Sequence, residues 1–543
     1  MGGSRMSESF VPRWQQANAH SLANMYRCML EQDGVTGDDL SKPIIGIANS
    51  GNEVVPGHRH LGELAAAVKE GVRAAGGVPL EFGTIAVCDG MGSANTGFRF
   101  VLPSRELVAD SVEVMAEVHH FDGLVGLSAC DKINPGMLMA AARLDRPFIL
   151  MPGGIGRRLT PGHLLSAGIG PGSETMCPAD HLGTALTMQC LAEGLGMAPL
   201  HAATTYSQDY RQRELAYWAG QQIVRLVRED LRPSRIMTPG AFSNAVRLSL
   251  ALGASMNAIL HLPAIAAELG ISLTLDDFDR LSRETPYLTP LRPNGPCKVS
   301  ELEEVGGIAA VMKVLAPLLD LEALTCSGET WAEIIARSEV GWEEARRSGV
   351  LRPLHDPVRA DGGLAVLYGT LAPEGAVVRL AGIDAGMEVF EGPARVFDSE
   401  MEAWPAIKNG EFASGEVLVI RYEGPVGGPG MPEESNIAWL LQSRGHRRDV
   451  YLLTDGRFSG GQAGQCIGFV APEAALGGPL ALVENGDRIR IDLPARRLDL
   501  LVPDEVVQER RRRWMPPPPR YARGYLARYI REVGPAARGA CLR

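Results

Sequence analysis

The sequence predicts an α/β fold: an N-terminal parallel sheet with crossover helices, followed by a β-rich C-terminal domain. Two patterns carry this. Between about 40 and 155, short apolar runs alternate with segments of helical periodicity, and strand–helix–strand alternation implies parallel strands joined by crossovers. Beyond 355–362 the helical periodicity gives way to short β-like runs separated by glycine and proline. A chain of 543 residues is also too long for a single hydrophobic core. We therefore expect an α/β domain over 1–357, a β-rich domain over 358–515, and a connector with a C-terminal helix over 516–543.

In the first domain Pro43–Ile47, Thr84–Val87, Leu124–Leu127 and Pro147–Met151 read as buried strands. His60–Ala75, Arg105–His119 and Pro135–Leu144 read as helices. In the second of these, Val108, Val112 and Met115 recur at helical spacing, as do Leu107, Val114 and Val118. Residues 155–175, rich in glycine and proline, predict a loop over the sheet. Further helices are expected near 178–195, 211–230 and 240–269. In the second domain the expected strands are Leu364–Tyr368, Ala376–Leu380, Ala394–Phe397, Val417–Tyr422 and Val450–Leu453, with a hairpin in Asp487–Val502. Pro516–Pro519 makes a stiff connector.

Composition narrows the function classes. Apolar residues at 45%, charged at 22% and aromatic at 6% describe a folded chain. A net charge of −11 argues against non-specific nucleic-acid binding, which needs a basic footprint. No stretch reaches the roughly 20 apolar residues that span a bilayer, and the N-terminus lacks a signal-peptide core. The nine cysteines form no C-x-x-C pair, which suits reduced thiols in a cytoplasmic protein.

Polar, glycine-rich clusters end the predicted strands: Asn49–Glu53, Asp89–Gly92, Cys130–Lys132 and then Pro135-Gly136. In open parallel sheets ligands bind outside the carboxyl ends of the strands. A lone strand-end Asp most often caps the next helix; three clusters in succession favour a shared cleft. The second domain adds Gly424–Glu433 and Thr454–Gly461. Mg²⁺ takes carboxylate oxygens and keeps waters for a substrate, so Asp89, Asp131 and Glu433 are the candidate metal ligands.

The blocks NEVVP, CDGMG, SRELVADSVE, GLSACDKINPG, GPVGGPGMPE and TDGRFSGG, spread over residues 40–500, resemble the dihydroxy-acid/phosphogluconate dehydratase family, which includes sugar-acid dehydratases. The resemblance implies an α/β domain followed by a barrel-like β domain, assembled as a homodimer or homotetramer. It implies that Asp89, Asp131 and Glu433 bind Mg²⁺, that Lys132 is carbamylated and adds an oxygen ligand, and that Ser459, as an alkoxide, is the base. The expected reaction is a lyase reaction: loss of the C2 proton of a 2,3-dihydroxy or sugar acid and elimination of the 3-substituent, giving a 2-keto acid. The two domains are expected to meet at this site.

The chain departs from the family at one point. The resemblance implies a [2Fe–2S] cluster held by three cysteines. Of those positions only Cys130 carries a thiol; the other two hold Gly57 and Ala179. A family-type cluster is therefore not expected. Cys177 lies two residues from one empty position, and His58 and His181 lie close to the two. Either a shifted loop brings Cys177 or a histidine inward, or Cys130 is a small buried residue, Cys177 a loop thiol and the histidines surface groups. Without a cluster, epimerisation, isomerisation or elimination of a better leaving group are the remaining reactions. A catalytically dead paralogue serving as a binding subunit is the rival from another class; keeping the Mg²⁺ ligands together with Ser459 argues against it.

Overall fold

The structure, a computed structural model, describes residues 10–17, 23–93, 95–158, 177–459 and 464–542. Most of the loop expected over 155–175 lies outside them. Four parallel strands, β1 (Ile44–Asn49), β2 (Val78–Gly83), β3 (Gly123–Ser128) and β4 (Phe148–Pro152), form a sheet in the order β2-β1-β3-β4. The helices α1 (Leu61–Ala74), α2 (Ser104–Val118) and α3 (Ile133–Leu144) connect them, and α4 (Thr184–Gly194), α5 (Tyr210–Glu229), α6 (Pro239–Leu252) and α7 (Ala258–Glu268) follow. Every residue of β1, β3 and β4 is buried, as parallel strands covered on both faces should be.

The strand expected at Thr84–Val87 instead runs from Val78 to Gly83. β2 is an edge strand, so Pro79 costs no ladder hydrogen bond there, and Pro79 and Glu81 interrupt the apolar run that would mark it. Residues 84–87 instead carry the chain irregularly to Cys88 and Asp89. The single helix expected over 240–269 is two, because Gly253, at φ +60°, closes α6 in the left-handed conformation that suits glycine.

The C-terminal part holds an eight-stranded sheet. Its strands are β5 (Ala365–Leu367), β6 (Gly375–Val378), β7 (Val389–Phe397), β8 (Val417–Ile420), β9 (Tyr451–Thr454), β10 (Cys466–Ala471), β11 (Arg488–Asp492) and β12 (Arg497–Leu500), ordered β12-β11-β7-β8-β9-β10-β6-β5. A parallel bridge between Tyr368 and Arg497 ties the two edges, so the sheet is nearly closed and barrel-like. β11 and β12 form the expected antiparallel hairpin. β10 was not foreseen: a bulge between Gly468 and Ala471, with Phe469 at φ +60°, interrupts its pattern. Along β8, Val417 and Val419 pack with Val378, Leu453 and Ile489, whereas Leu418 and Ile420 join the large core shared with the N-terminal sheet. This period of two fastens the halves together. The C-terminal segment, including the expected helix at Gly524–Glu532, returns to the first half, where Arg105 donates to the Gly539 and Ala540 carbonyls at 2.8 and 3.0 Å. Among the described residues no helix is long and apolar enough to cross a membrane.

The loop before Glu433 is a tight seam between the halves. Gly430 sits at φ +76°, and a Cβ there would lie 2.0 Å from the Arg99 carbonyl; beside it Arg99 pairs with the buried Glu423 at 2.9 Å. Gly430→Ala is expected to cost about 2–4 kcal/mol, from a disfavoured conformation plus a backbone clash, read as a lowered midpoint in denaturant unfolding.

Candidate active site

The carboxyl ends of β1 and β3 and the segment after β2 deliver the first half of the site. β3 runs into Cys130, Asp131 and Lys132, and α3 starts at the next residue, so the cluster lies at the positive end of that helix. Asp89 opens a single helical turn, Asp89–Gly92. A set of local bonds fixes the turn after β3. Asn134 donates to the Cys130 carbonyl at 2.8 Å and accepts from Ser128 at 2.5 Å, and Gln189 donates to the Ala129 carbonyl at 2.8 Å.

His58 completes this brace. It is fully buried, contrary to a reading of the histidines as surface groups. Its Nε2 accepts from the backbone N–H groups of Cys130 at 2.9 Å and Ala129 at 3.3 Å, and Nδ1 lies 3.0 Å from the Ser50 carbonyl. Burial, partly offset by that carbonyl, pushes its pKa down to about 4, so the ring is neutral and its acceptor lone pair is engaged by the main chain. His58 is thus a support for Cys130 and offers no free nitrogen to a metal. His181 is likewise held neutral, at about 4, by burial and by Arg379 and Arg292.

The second half contributes Glu433, 8% exposed, whose Oε1 accepts from Arg457 and, at 3.0 Å, from Asn257. Arg457 also donates to the Met431 carbonyl at 2.6 Å and lies over the Phe98 ring at 5.6 Å. Ser459 follows the buried Phe458, whose carbonyl accepts from the same Asn257 at 3.4 Å; its own N–H donates to Ser435 Oγ at 3.2 Å. The rest of its glycine-rich block, 460–463, lies outside the described residues. Asn257 and Arg457 are the residues that sequence reasoning missed. Arg457 stood inside the TDGRFSGG block, whereas nothing local marks Asn257.

The two halves come together electrostatically. Burial, then the charges of Asp131 and Glu433, push Asp89 up to about 7. Lys132, fully buried, donates to Asp131 Oδ2 at 2.5 Å; burial and then Arg457 lower its pKa, against Asp131 and Glu433. Asp131 is 1% exposed, and its Oδ1 has no hydrogen-bond partner among the described residues. A buried carboxyl oxygen without a partner is costly, and a cation is a group that would satisfy it.

Three thiols adjoin this carboxylate cluster. Cys130 Sγ lies 4.0 Å from Cys177 Sγ and 3.5 Å from Asp89 Oδ1. Cys88 interacts with Cys177, and this hydrogen bond pulls its pKa down to about 6. Ligand atoms of Asp89, Cys130 and Cys177 all lie within 4.8 Å of one another. Of the two readings left open for Cys177, the structure bears out the one in which it comes inward. Gly57 explains how: a Cβ there would lie 2.5 Å from the Cys177 carbonyl, so the missing side chain at 57 is what admits the Cys177 backbone.

Comparison with known proteins gives a consistent picture. A family model described as Dihydroxy-acid/6-phosphogluconate dehydratase N-terminal matches residues 42–177 and 174–334, and its C-terminal counterpart matches 349–540. The chain is 47% identical to a dihydroxy-acid dehydratase of Methanothrix thermoacetophila over 95% of this chain and 97% of that protein. Identity is also 47% to the dihydroxy-acid dehydratase of Methanothermobacter thermautotrophicus and 46% to that of Moorella thermoacetica, with the same coverage.

Replacing His58 with Leu removes the acceptor for two buried N–H groups. It is expected to cost about 2–4 kcal/mol in denaturant unfolding, whereas Leu at the exposed His355 should cost about 1 kcal/mol or less.

Proposed function

The chain belongs to the dihydroxy-acid/6-phosphogluconate dehydratase family, and on that premise we propose that it is a Mg²⁺-dependent hydro-lyase converting a 2,3-dihydroxy or sugar acid to a 2-keto acid. Membership of the family implies dehydration of a dihydroxy acid. The observation that carries the metal-dependent reading is Asp131 Oδ1, without a hydrogen-bond partner among the described residues and buried beside Asp89 and Glu433. Hard carboxylate oxygens are the donors Mg²⁺ prefers, so this set fits the ion, and Asp89, Asp131 and Glu433 would hold it. Mg²⁺ would supply a Lewis acid toward the carboxylate and 2-hydroxyl of the substrate. Lys132, whose amine is held toward its neutral form, is suited to add to carbon dioxide with loss of a proton, giving a carbamate that offers a further oxygen.

The protein's own residues do the proton chemistry. Ser459, as an alkoxide, takes the C2 proton and is the general base of the step. Arg457 and Asn257 fix the Glu433 carboxylate from one side, while His58, Asn134 and Gln189 fix the Cys130–Lys132 turn from the other. The C3–O bond breaks with departure of hydroxide, so the proton and the hydroxide balance as one water. The enol left behind takes a proton at C3 to become the 2-keto acid. An iron–sulfur cluster, the group the family implies for this step, would supply an acid for the departing hydroxide.

Ser459→Ala is expected to lower C2 hydrogen–deuterium exchange of a dihydroxy-acid substrate at least about 100-fold, as loss of a general base should, with Mg²⁺ affinity nearly unchanged. Asp131→Asn should instead weaken Mg²⁺ binding about tenfold or more. Proton NMR in D₂O and a metal titration read the two separately. Wild-type exchange in the Ser459 variant would assign the base elsewhere.

A further inference from the structure

We propose that Cys88, Cys130 and Cys177 form a thiolate site for an iron–sulfur cluster, a ligand set in which Cys88 and Cys177 take over from the vacant positions at Gly57 and Ala179. The proposal deepens the dehydratase reading and rests on it for the role of the cluster. The placement of the thiols does not depend on that reading.

Three segments that are remote in sequence converge here. Cys88 ends the irregular run after β2, Cys130 opens the turn after β3, and Cys177 precedes α4. The 4.0 Å between Cys130 and Cys177 is about twice a disulfide bond and close to the separation of two thiolates on one metal centre. Cys177 in turn reaches Cys88, so it bridges the other two. Soft thiolates in such a group select iron–sulfur clusters, zinc or cuprous ion. The other six cysteines do not offer this: Cys190, Cys297, Cys326 and Cys466 are buried in the apolar core, Cys28 is exposed, and Cys541 lies against Arg105.

The exchange of ligands is sterically self-consistent. A side chain at residue 57 and the present course of Cys177 exclude each other, because the Cβ would overlap the Cys177 carbonyl and Pro178. A chain with glycine at 57 can therefore carry its thiol at 177. Cys130 is the shared member and is held from the main-chain side by His58 and Asn134. Asp89 Oδ1, 3.5 Å from Cys130 Sγ, joins the thiols to the carboxylate cluster. A substrate held by the carboxylates would thus lie beside the thiol group.

The test uses the full-length chain, purified and reconstituted under anaerobic conditions with ferrous iron and sulfide. Iron, acid-labile sulfide and zinc are counted, and the visible spectrum and the electron paramagnetic resonance of the reduced sample are recorded. The wild type is expected to hold at least about two irons and an equal number of sulfides per chain. Cys88→Ser, Cys130→Ser and Cys177→Ser should each lose most of that iron, while Cys28→Ser keeps it, with circular dichroism and unfolding midpoints verifying the fold. Full iron and sulfide in Cys88→Ser or Cys177→Ser would overturn the assignment, as would a wild type that takes up no iron or takes zinc without sulfide. C2 deuterium exchange in the Cys177→Ser protein separates the two claims. Exchange that persists without iron supports the Mg²⁺–Ser459 reading whatever the thiols do, and its absence from wild type as well would count against that reading rather than against the thiol site.

Discussion

Three carboxylates, Asp89, Asp131 and Glu433, share one largely buried volume, and the rest of the architecture serves to make that tolerable. Like charges in a low-dielectric site repel strongly and are costly to desolvate. Two basic side chains answer part of this by donating hydrogen bonds: Lys132 to Asp131, and Arg457 to Glu433. Both are fully buried, so neither can turn away to solvent. The Asp131 oxygen that has no partner among the described residues points to a further positive charge as the natural complement.

Holding this cluster in register demands both halves of the chain. The parallel sheet ends in the Cys130–Lys132 turn, and the barrel-like sheet presents Glu433 and Arg457. Between them stands Asn257, at the start of α7, which touches Glu433 and the Phe458 carbonyl together. The close approach of Gly430 to Arg99 keeps the second half seated. A site built across a seam is sensitive to small shifts of either side, which gives the tight loop before Glu433 a functional as well as a structural reason.

Much of this was legible in the sequence where a residue's role is local. Strands β1, β3 and β4 are continuous apolar runs, and the polar clusters after them mark strand ends. β2 was displaced because an edge strand tolerates Pro79 and Glu81, and β10 was missed because its bulge breaks the pattern. The site divides in the same way. Asp89, Asp131, Lys132 and Glu433 announce themselves by motif, and the structure draws them together. Asn257 sits in an ordinary apolar helix start, and its contacts are made across the fold, so no local signal could reveal it. The thiols teach the same lesson: Gly57 looked like a lost ligand, whereas in three dimensions it is the space through which Cys177 enters.

The central claim is that the two halves together form one cation site on Asp89, Asp131 and Glu433. Anomalous diffraction from a crystal of the protein soaked in Mn²⁺, a surrogate with the same oxygen preference, tests it directly. The account predicts a single strong peak about 2 Å from oxygens of these three residues, with Asp131 Oδ1 among them. A peak elsewhere, or no peak at this cluster at a saturating concentration, would contradict it.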